Sequence, residues 1–310
     1  MGTNRTSISE FLLLGFAVHP KMQLFLFGLF SLLYTATLLG NGVILGLVWL
    51  DGRLHTPMYF FLCHLAVVDI SYACNTVPQM LVNLLRPAEP ISLAGCSAQT
   101  FLFLTLAHTE CFLLVVMSYD RFVAICRPLR YPLVVSRRAC RILVGLCWAL
   151  GSLLALLHLL LLLRLPFCGR REIDHFFCEI LALLRAACGD ARINEALVLA
   201  GAVSVLVGPF FSILTSYLSI LWTILRLRSR EGRRKAFSTC ASHLGIVGLF
   251  YGTAIITYVG PGTANPGEGK KYLLLFHSLL NPMLNPMIYS LKNGEVKKAL
   301  REVMKRVRAP

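Results

Sequence analysis

Residues 97–125 read SAQTFLFLTLAHTECFLLVVMSYDRFVAI. Before Asp120 the run holds a single formal charge, Glu110, in an otherwise apolar and weakly polar stretch. A helix needs about 20 mostly apolar residues to cross a bilayer. The run therefore reads as a membrane span with a carboxyl group near its middle and Asp120-Arg121 at one end. Six further runs of the same character lie at 24–49, 58–82, 141–165, 196–225, 237–260 and 271–291. The expected fold is an all-α membrane protein, a seven-transmembrane-helix bundle forming one domain over 1–310. Residues 1–23 are its outer N-terminal segment and 292–310 its cytoplasmic tail.

Composition supports lipid as the solvent. The chain is 56% hydrophobic and 15% charged, with mean hydropathy +0.69. Soluble domains carry about 25% charged residues, enough to cover a globular surface. The net charge of +15 does not indicate a nucleic-acid partner, because the basic residues form short clusters separated by apolar runs. Placing the N-terminus outside puts 20 of the 30 basic residues, but only five of the 15 acids, on the cytoplasmic face. That is the positive-inside pattern of a multi-pass membrane protein, and the plasma membrane is the expected location. No cleavable signal peptide is visible, so the first span serves as signal anchor. Asn4-Arg5-Thr6 is a glycosylation sequon at Asn4, consistent with an extracellular N-terminus. From Gly294 to Arg306, Val296, Ala299, Leu300, Val303 and Met304 share one face and lysines and arginines the other. A short amphipathic helix on the inner leaflet is expected.

A charge at mid-bilayer costs about 2.5 to 3.5 kcal/mol on insertion scales, so it should face the bundle interior and have a role. Asp69 in the second span and Glu110 in the third qualify. In the seventh span Ser278, Pro282, Asn285 and Tyr289 are spaced as one helical stripe. Two readings of the acids stand: a sodium ion or shared proton between Asp69 and Glu110, or a hydrogen-bonded polar core with neutral Glu110. Beyond that ion no cofactor is expected. Prolines 78, 209, 282 and 286 fall inside spans and each removes a backbone donor.

Of eleven cysteines, Cys96 opens the third span, and Cys168, Cys178 and Cys188 lie in the long outer loop. Four cysteines in a disulfide-permissive compartment allow three pairings. A bond from the loop to Cys96 would make a lid over the bundle. The absence of CxxC spacing argues against zinc.

The stretch Met117-Ser118-Tyr119-Asp120-Arg121-Phe122-Val123-Ala124-Ile125-Cys126 resembles the signature of vertebrate odorant receptors, within the rhodopsin-like G protein-coupled class. Further blocks agree in order along the chain: LHTPMYFFL at 54–62, Ser216-Tyr217, KAFSTCASHL at 235–244 and PMLNPMIYSL at 282–291. Gly40-Asn41 and EFLLLGF at 10–16 fit as well. Phe122, Ala66 and Arg130 depart from the usual Tyr, Ser and His, and none of these removes a charge that the switch needs. The outer-loop length and cysteine pattern resemble the class II, tetrapod-type receptors.

The resemblance implies disulfides Cys96–Cys178 and Cys168–Cys188. It implies a ligand pocket in the outer half, lined by Phe103, Leu104, Ala107, His108 and Cys111 on the third helix. Gly201, Ala202 and Val205 join from the fifth, Tyr251, Ile255 and Tyr258 from the sixth, and Leu275 and Ser278 from the seventh. Such a pocket suits a small, mostly uncharged volatile. An activation switch is implied at Asp120, Arg121, Tyr217, His243, Asn285, Pro286 and Tyr289. In it Asp120 holds Arg121 at rest, and Arg121 turns toward Tyr217 and Tyr289 on activation; His243 is a candidate for pH sensitivity. The implied partners are an odorant, a heterotrimeric stimulatory G protein of the olfactory type that raises cyclic AMP, and membrane lipid. Olfactory sensory cilia are the implied location.

Other classes fit worse. A transporter would show inverted repeats. An opsin needs a lysine inside the seventh span, whereas Lys270 and Lys271 lie at its outer end. An amine receptor needs an acid where this chain has Phe103. An intramembrane enzyme needs a nucleophile–base pair or a histidine-rich metal motif, and neither is present.

Overall fold

Prolines and serine caps outside the apolar runs mark the starts of four of the long helices. The computed structural model describes residues 9–16, 19–86, 89–168, 171–226, 230–260, 268–291 and 294–308, without side chains at 232, 235, 236, 238, 239, 242, 268, 289–291 and 306–308. Seven long helices follow in order: α1 (Pro20–Leu50), α2 (Pro57–Leu85), α3 (Leu93–Cys126), α4 (Arg137–Leu163), α5 (Arg192–Leu225), α6 (Arg230–Tyr258) and α7 (Glu268–Leu291). Proline occupies the first turn of α1 and α2, where its missing N–H is harmless. Ser92 accepts from Gly95 N at 3.1 Å and Ser136 from Ala139 N at 3.3 Å. These caps start α3 and α4 four residues before their apolar runs. α4 stops at Leu163 and α6 at Tyr258, each shortly before a proline in the sequence.

The protein is a helical membrane bundle. Among the described residues, α1 to α5 are long and apolar enough to cross a membrane, and α6 is apolar over His243–Tyr258. α7 is more polar because Ser278, Asn281 and Asn285 are buried against its neighbours rather than facing lipid.

Close approach between helices depends on small residues. A Cβ at Gly151 of α4 would meet Thr109 Oγ1 at 2.5 Å and the Thr105 carbonyl at 3.0 Å, both on α3. A Cβ at Gly40 of α1 would meet the Pro286 ring of α7 at 3.1 Å. Pro286 has no N–H for the carbonyl four residues back, that of Pro282. Asn41 fills the gap, donating its Nδ2 to Pro282 O at 2.9 Å. In α5 a π-helical turn, Val203–Val207, precedes Pro209 and accommodates its missing donor.

The end of the bundle that carries Asp120 also carries the amphipathic helix α8 (Gly294–Arg308), with Val296 and Ala299 buried and Lys297 and Lys298 exposed. Arg53 pairs with both Asp51 and Glu302, each at 2.6 Å, and so joins the α1–α2 turn to α8.

The opposite end departs from the sequence reading, which left residues 1–23 as a plain segment. Strand β1 (Glu10–Leu13) is the centre of a three-stranded sheet. It runs antiparallel to β2 (Pro90–Ser92) and parallel to β3 (Glu172–Ile173). Alternation along β1 buries Phe11 and Leu13. Asn4 lies outside the described residues.

Candidate functional site

The loop between α4 and α5 is tied down on α3. Disulfides join Cys96 to Cys178 and Cys168 to Cys188. Around the first, Thr100 Oγ1 donates to Cys178 O at 2.8 Å, and Cys178 N donates to Gln99 Oε1 at 2.8 Å. Gln99 Nε2 reaches Asn75 O at 2.8 Å, extending the link to α2. Phe177 then sits on Phe103, ring centroids 4.5 Å apart, and Phe103 on Tyr72 at 4.9 Å. Sequence reasoning missed Gln99, because an amide at the end of a span has no distinguishing local pattern.

The charges of this lid follow from burial. His175 is enclosed against Phe176 and Phe177, and desolvation, reinforced by Lys271 and Arg185, lowers its pKa to about 3. Glu179 caps the loop helix Ile180–Ala186 by accepting from Ala182 N at 2.8 Å, and burial raises its pKa above the ordinary carboxylate value. Lys271 of α7 pairs with Asp174 at 2.6 Å.

Beneath the lid lies a cavity of about 60 Å³. From α3 it is lined by Phe103, Leu104, Ala107, His108 and Cys111, and from α5 by Ala202, Val205 and Leu206. Tyr258, Phe250 and Ala254 of α6 close another wall, with Tyr72, His158, Ile180, Val198 and His277 completing it. Several expected members lie elsewhere. Tyr251 is fully buried, its hydroxyl donating to Cys111 O at 2.8 Å, so it fixes α6 to α3. A Cβ at Gly201 would stand 3.0 Å from His158 Nε2, so Gly201 backs the ring from behind. Ile255, Leu275 and Ser278 are outside the lining; Ser278 donates to Leu275 O at 3.3 Å.

The lining polar groups were only partly legible from the sequence. His158 Nδ1 donates to Leu154 O at 2.7 Å, which leaves Nε2 as an acceptor. His277 Nδ1 is engaged by Thr253 and Asn281 at 3.1 and 3.2 Å. His108 Nδ1 and the Tyr72 hydroxyl are buried without a hydrogen bond among the described residues, while the Tyr258 hydroxyl is directed at Glu179 of the lid. An apolar cavity with a few unspent donors and acceptors can hold one small molecule and orient it.

Deeper in the bundle, Asn285 Nδ2 donates to both Asp69 oxygens at 3.0 and 3.1 Å and approaches Glu110 Oε1 at 3.5 Å. Asn285 Oδ1 is buried without a partner. The cluster thus has more acceptor oxygens than donors, a set that fits a cation or added protons. Among the described residues no three His, Cys, Asp or Glu side chains come together as a metal site.

At the far end the switch residues are arranged differently from expectation. Asp120 accepts from Tyr131 Oη at 2.8 Å, and among the described residues no ion pair joins it to Arg121. Arg121 instead reaches the Met58 sulfur. Adjacent residues on a helix point about 100° apart, so Asp120 meets the loop tyrosine while Arg121 turns to α2. Tyr217 hydrogen-bonds His243 Nδ1, fastening α5 to α6. Pro286 packs on Gly40; the Tyr289 side chain lies outside the described residues.

Comparison with known proteins agrees with this geometry. Residues 30–307 match the family model described as olfactory receptor. The chain is 66% identical to olfactory receptor 2A7 of Mus musculus, over 100% of both chains. It is 65% identical to human olfactory receptor 2A25 over 99% of each, and 66% identical to human olfactory receptor 2A7 over 98% of each.

Proposed function

Because the chain belongs to the olfactory receptor family, and is a receptor rather than an enzyme, we propose that its cavity beneath the lid binds small, mostly uncharged volatiles and that occupancy activates a stimulatory, olfactory-type G protein to raise cyclic AMP. The observation that carries this reading is the cavity itself: apolar walls, Phe177 on Phe103 as a roof, and unspent polar atoms on His108 and Tyr72. A ligand in this cavity touches α5 and α6, the helices that Tyr217 and His243 fasten at the other end, and so biases their packing. Release of that bond and of Arg121 from Met58 opens the G protein face. The N-terminus is extracellular, with Asn4 glycosylated, and the receptor sits in the plasma membrane of olfactory cilia. Asp69, Glu110 and Asn285 hold a sodium ion or a shared proton that stabilises the resting bundle; Glu110→Gln should remove any sodium dependence of signalling.

The test is a cyclic-AMP reporter in cells exposed to a chemically diverse odorant panel, with Arg121→Ala as control. At least one odorant should raise cyclic AMP in the unmodified receptor and not in the variant. Silence across the panel at normal surface expression, or a response surviving Arg121→Ala, refutes the reading.

A further inference from the structure

A second and larger cavity, about 490 Å³, opens at the Asp120 end between α1, α2 and α4. We infer that it is a binding site for the headgroup of an acidic phospholipid, with the acyl chains running along the outside of α2 and α4.

Arg137 and Arg141, one helical turn apart on α4, line one side. Both are exposed, and among the described residues neither makes a hydrogen bond or ion pair. Across from them His55 is committed, its Nε2 bonded to Val48 O at 3.0 Å. Among the described residues no acid lines the cavity, so within it the two arginines face no carboxylate. The remaining walls include Val48, Leu54 and Phe60, which are apolar.

This combination selects the occupant. Two guanidinium groups suit a phosphate, whose oxygens accept their paired N–H donors. A free phosphate would use the arginines and leave the Phe60 wall bare. A diacyl phosphate uses both, and its chains continue along α4 past Gly145 and Trp148, which share the stripe of Arg137 and Arg141 and are exposed and half-buried. The site lies where α1 ends and α4 begins, at the boundary of two spans, which is the depth of lipid headgroups. Neither the odorant cavity nor the Asp120–Arg121 switch contributes a side chain to it.

The experiment uses the full receptor, purified and reconstituted in phosphatidylcholine vesicles carrying trace spin-labelled phosphatidic acid or spin-labelled phosphatidylcholine. The motionally restricted lipid fraction is read by electron paramagnetic resonance. The receptor should favour phosphatidic acid by about five- to thirtyfold, at up to about fivefold per arginine. Arg137→Ala with Arg141→Ala should bring the preference to within twofold, and Arg138→Ala, on the same turn but outside the lining, should leave it in place. Equal restriction of the two lipids by the unmodified receptor overturns the proposal, and this arm depends on no variant folding. An equal loss in Arg138→Ala assigns the preference to diffuse basic charge and also overturns it. Displacement of the labelled lipid by millimolar inorganic phosphate points to a simple anion site and rejects the lipid. No odorant or G protein enters the assay, so its failure and that of the proposed function are separate results.

Discussion

Gly151→Ala should destabilise the receptor, while Gly145→Ala, on the same helix, should stabilise it. In a helix interior alanine is favoured over glycine by about 0.5–1 kcal/mol. At Gly145 an added Cβ meets nothing within 4 Å, so that gain stands alone. At Gly151 the Cβ would lie 2.5 Å from Thr109 Oγ1, 3.0 Å from the Thr105 carbonyl and 3.1 Å from Thr109 N. The last two are backbone atoms of α3, so rotating the Thr109 side chain cannot relieve the clash and α4 must move away. Overpacking of this kind costs about 1–3 kcal/mol. Set against the propensity gain, the net loss is up to about 2.5 kcal/mol. Fluorescence-detected size-exclusion chromatography after graded heating of detergent-solubilised receptor measures both variants against the parent. A Gly151→Ala receptor at least as heat-resistant as Gly145→Ala would refute the α3–α4 packing from which the cavity wall is built.

Other outcomes follow from the lid and the cavity. His175 has its pKa lowered to about 3 in the folded lid, below its ordinary value of 6.5, so the unfolded state takes up a proton first as pH falls. Lid stability should therefore be complete above about pH 6.5 and decline from there toward pH 3, and His175→Phe should flatten the decline measured by protease protection of the loop. Cys178→Ser should abolish odorant responses, because Phe177 loses its anchor over Phe103; an unchanged dose–response curve would contradict the lid's role. Gly201→Ala should push the His158 ring toward the cavity and shift odorant potency without lowering surface expression. Arg53→Ala should release α8 from the α1–α2 turn, measurable as faster hydrogen exchange across Gly294–Arg308.

The long helices were legible because lipid imposes one requirement on every span, and apolar runs report it directly. The acids in the bundle were legible for the complementary reason: a carboxyl in a span is too costly to be incidental, and Asp69 and Glu110 do meet at Asn285. The sheet at Glu10–Leu13 was not legible, since its partners at Pro90–Ser92 and Glu172–Ile173 are too short to show a strand period of their own. His158 and His277 in the cavity were missed because helix rotation decides which lone histidine faces inward, and apolar α4 gives little rotational signal. Tyr251, spaced seven residues from Tyr258, shares its face but spends its hydroxyl on Cys111 O, which spacing cannot reveal. The partners of Asp120 and Arg121 were likewise a matter of which neighbour is nearer: Asp120 takes Tyr131 of the following loop and Arg121 takes Met58, 63 residues before it.

The central claim is that the cavity under the lid is where the odorant acts. Ala107→Leu adds three carbon atoms to a lining residue of a cavity of only about 60 Å³. Cyclic-AMP dose–response curves should be recorded for this variant and the parent with an odorant that activates the parent. The account predicts that potency falls at least tenfold or the response disappears, with surface expression and ligand-free cyclic AMP unchanged. An unaltered curve would place the odorant elsewhere and contradict it.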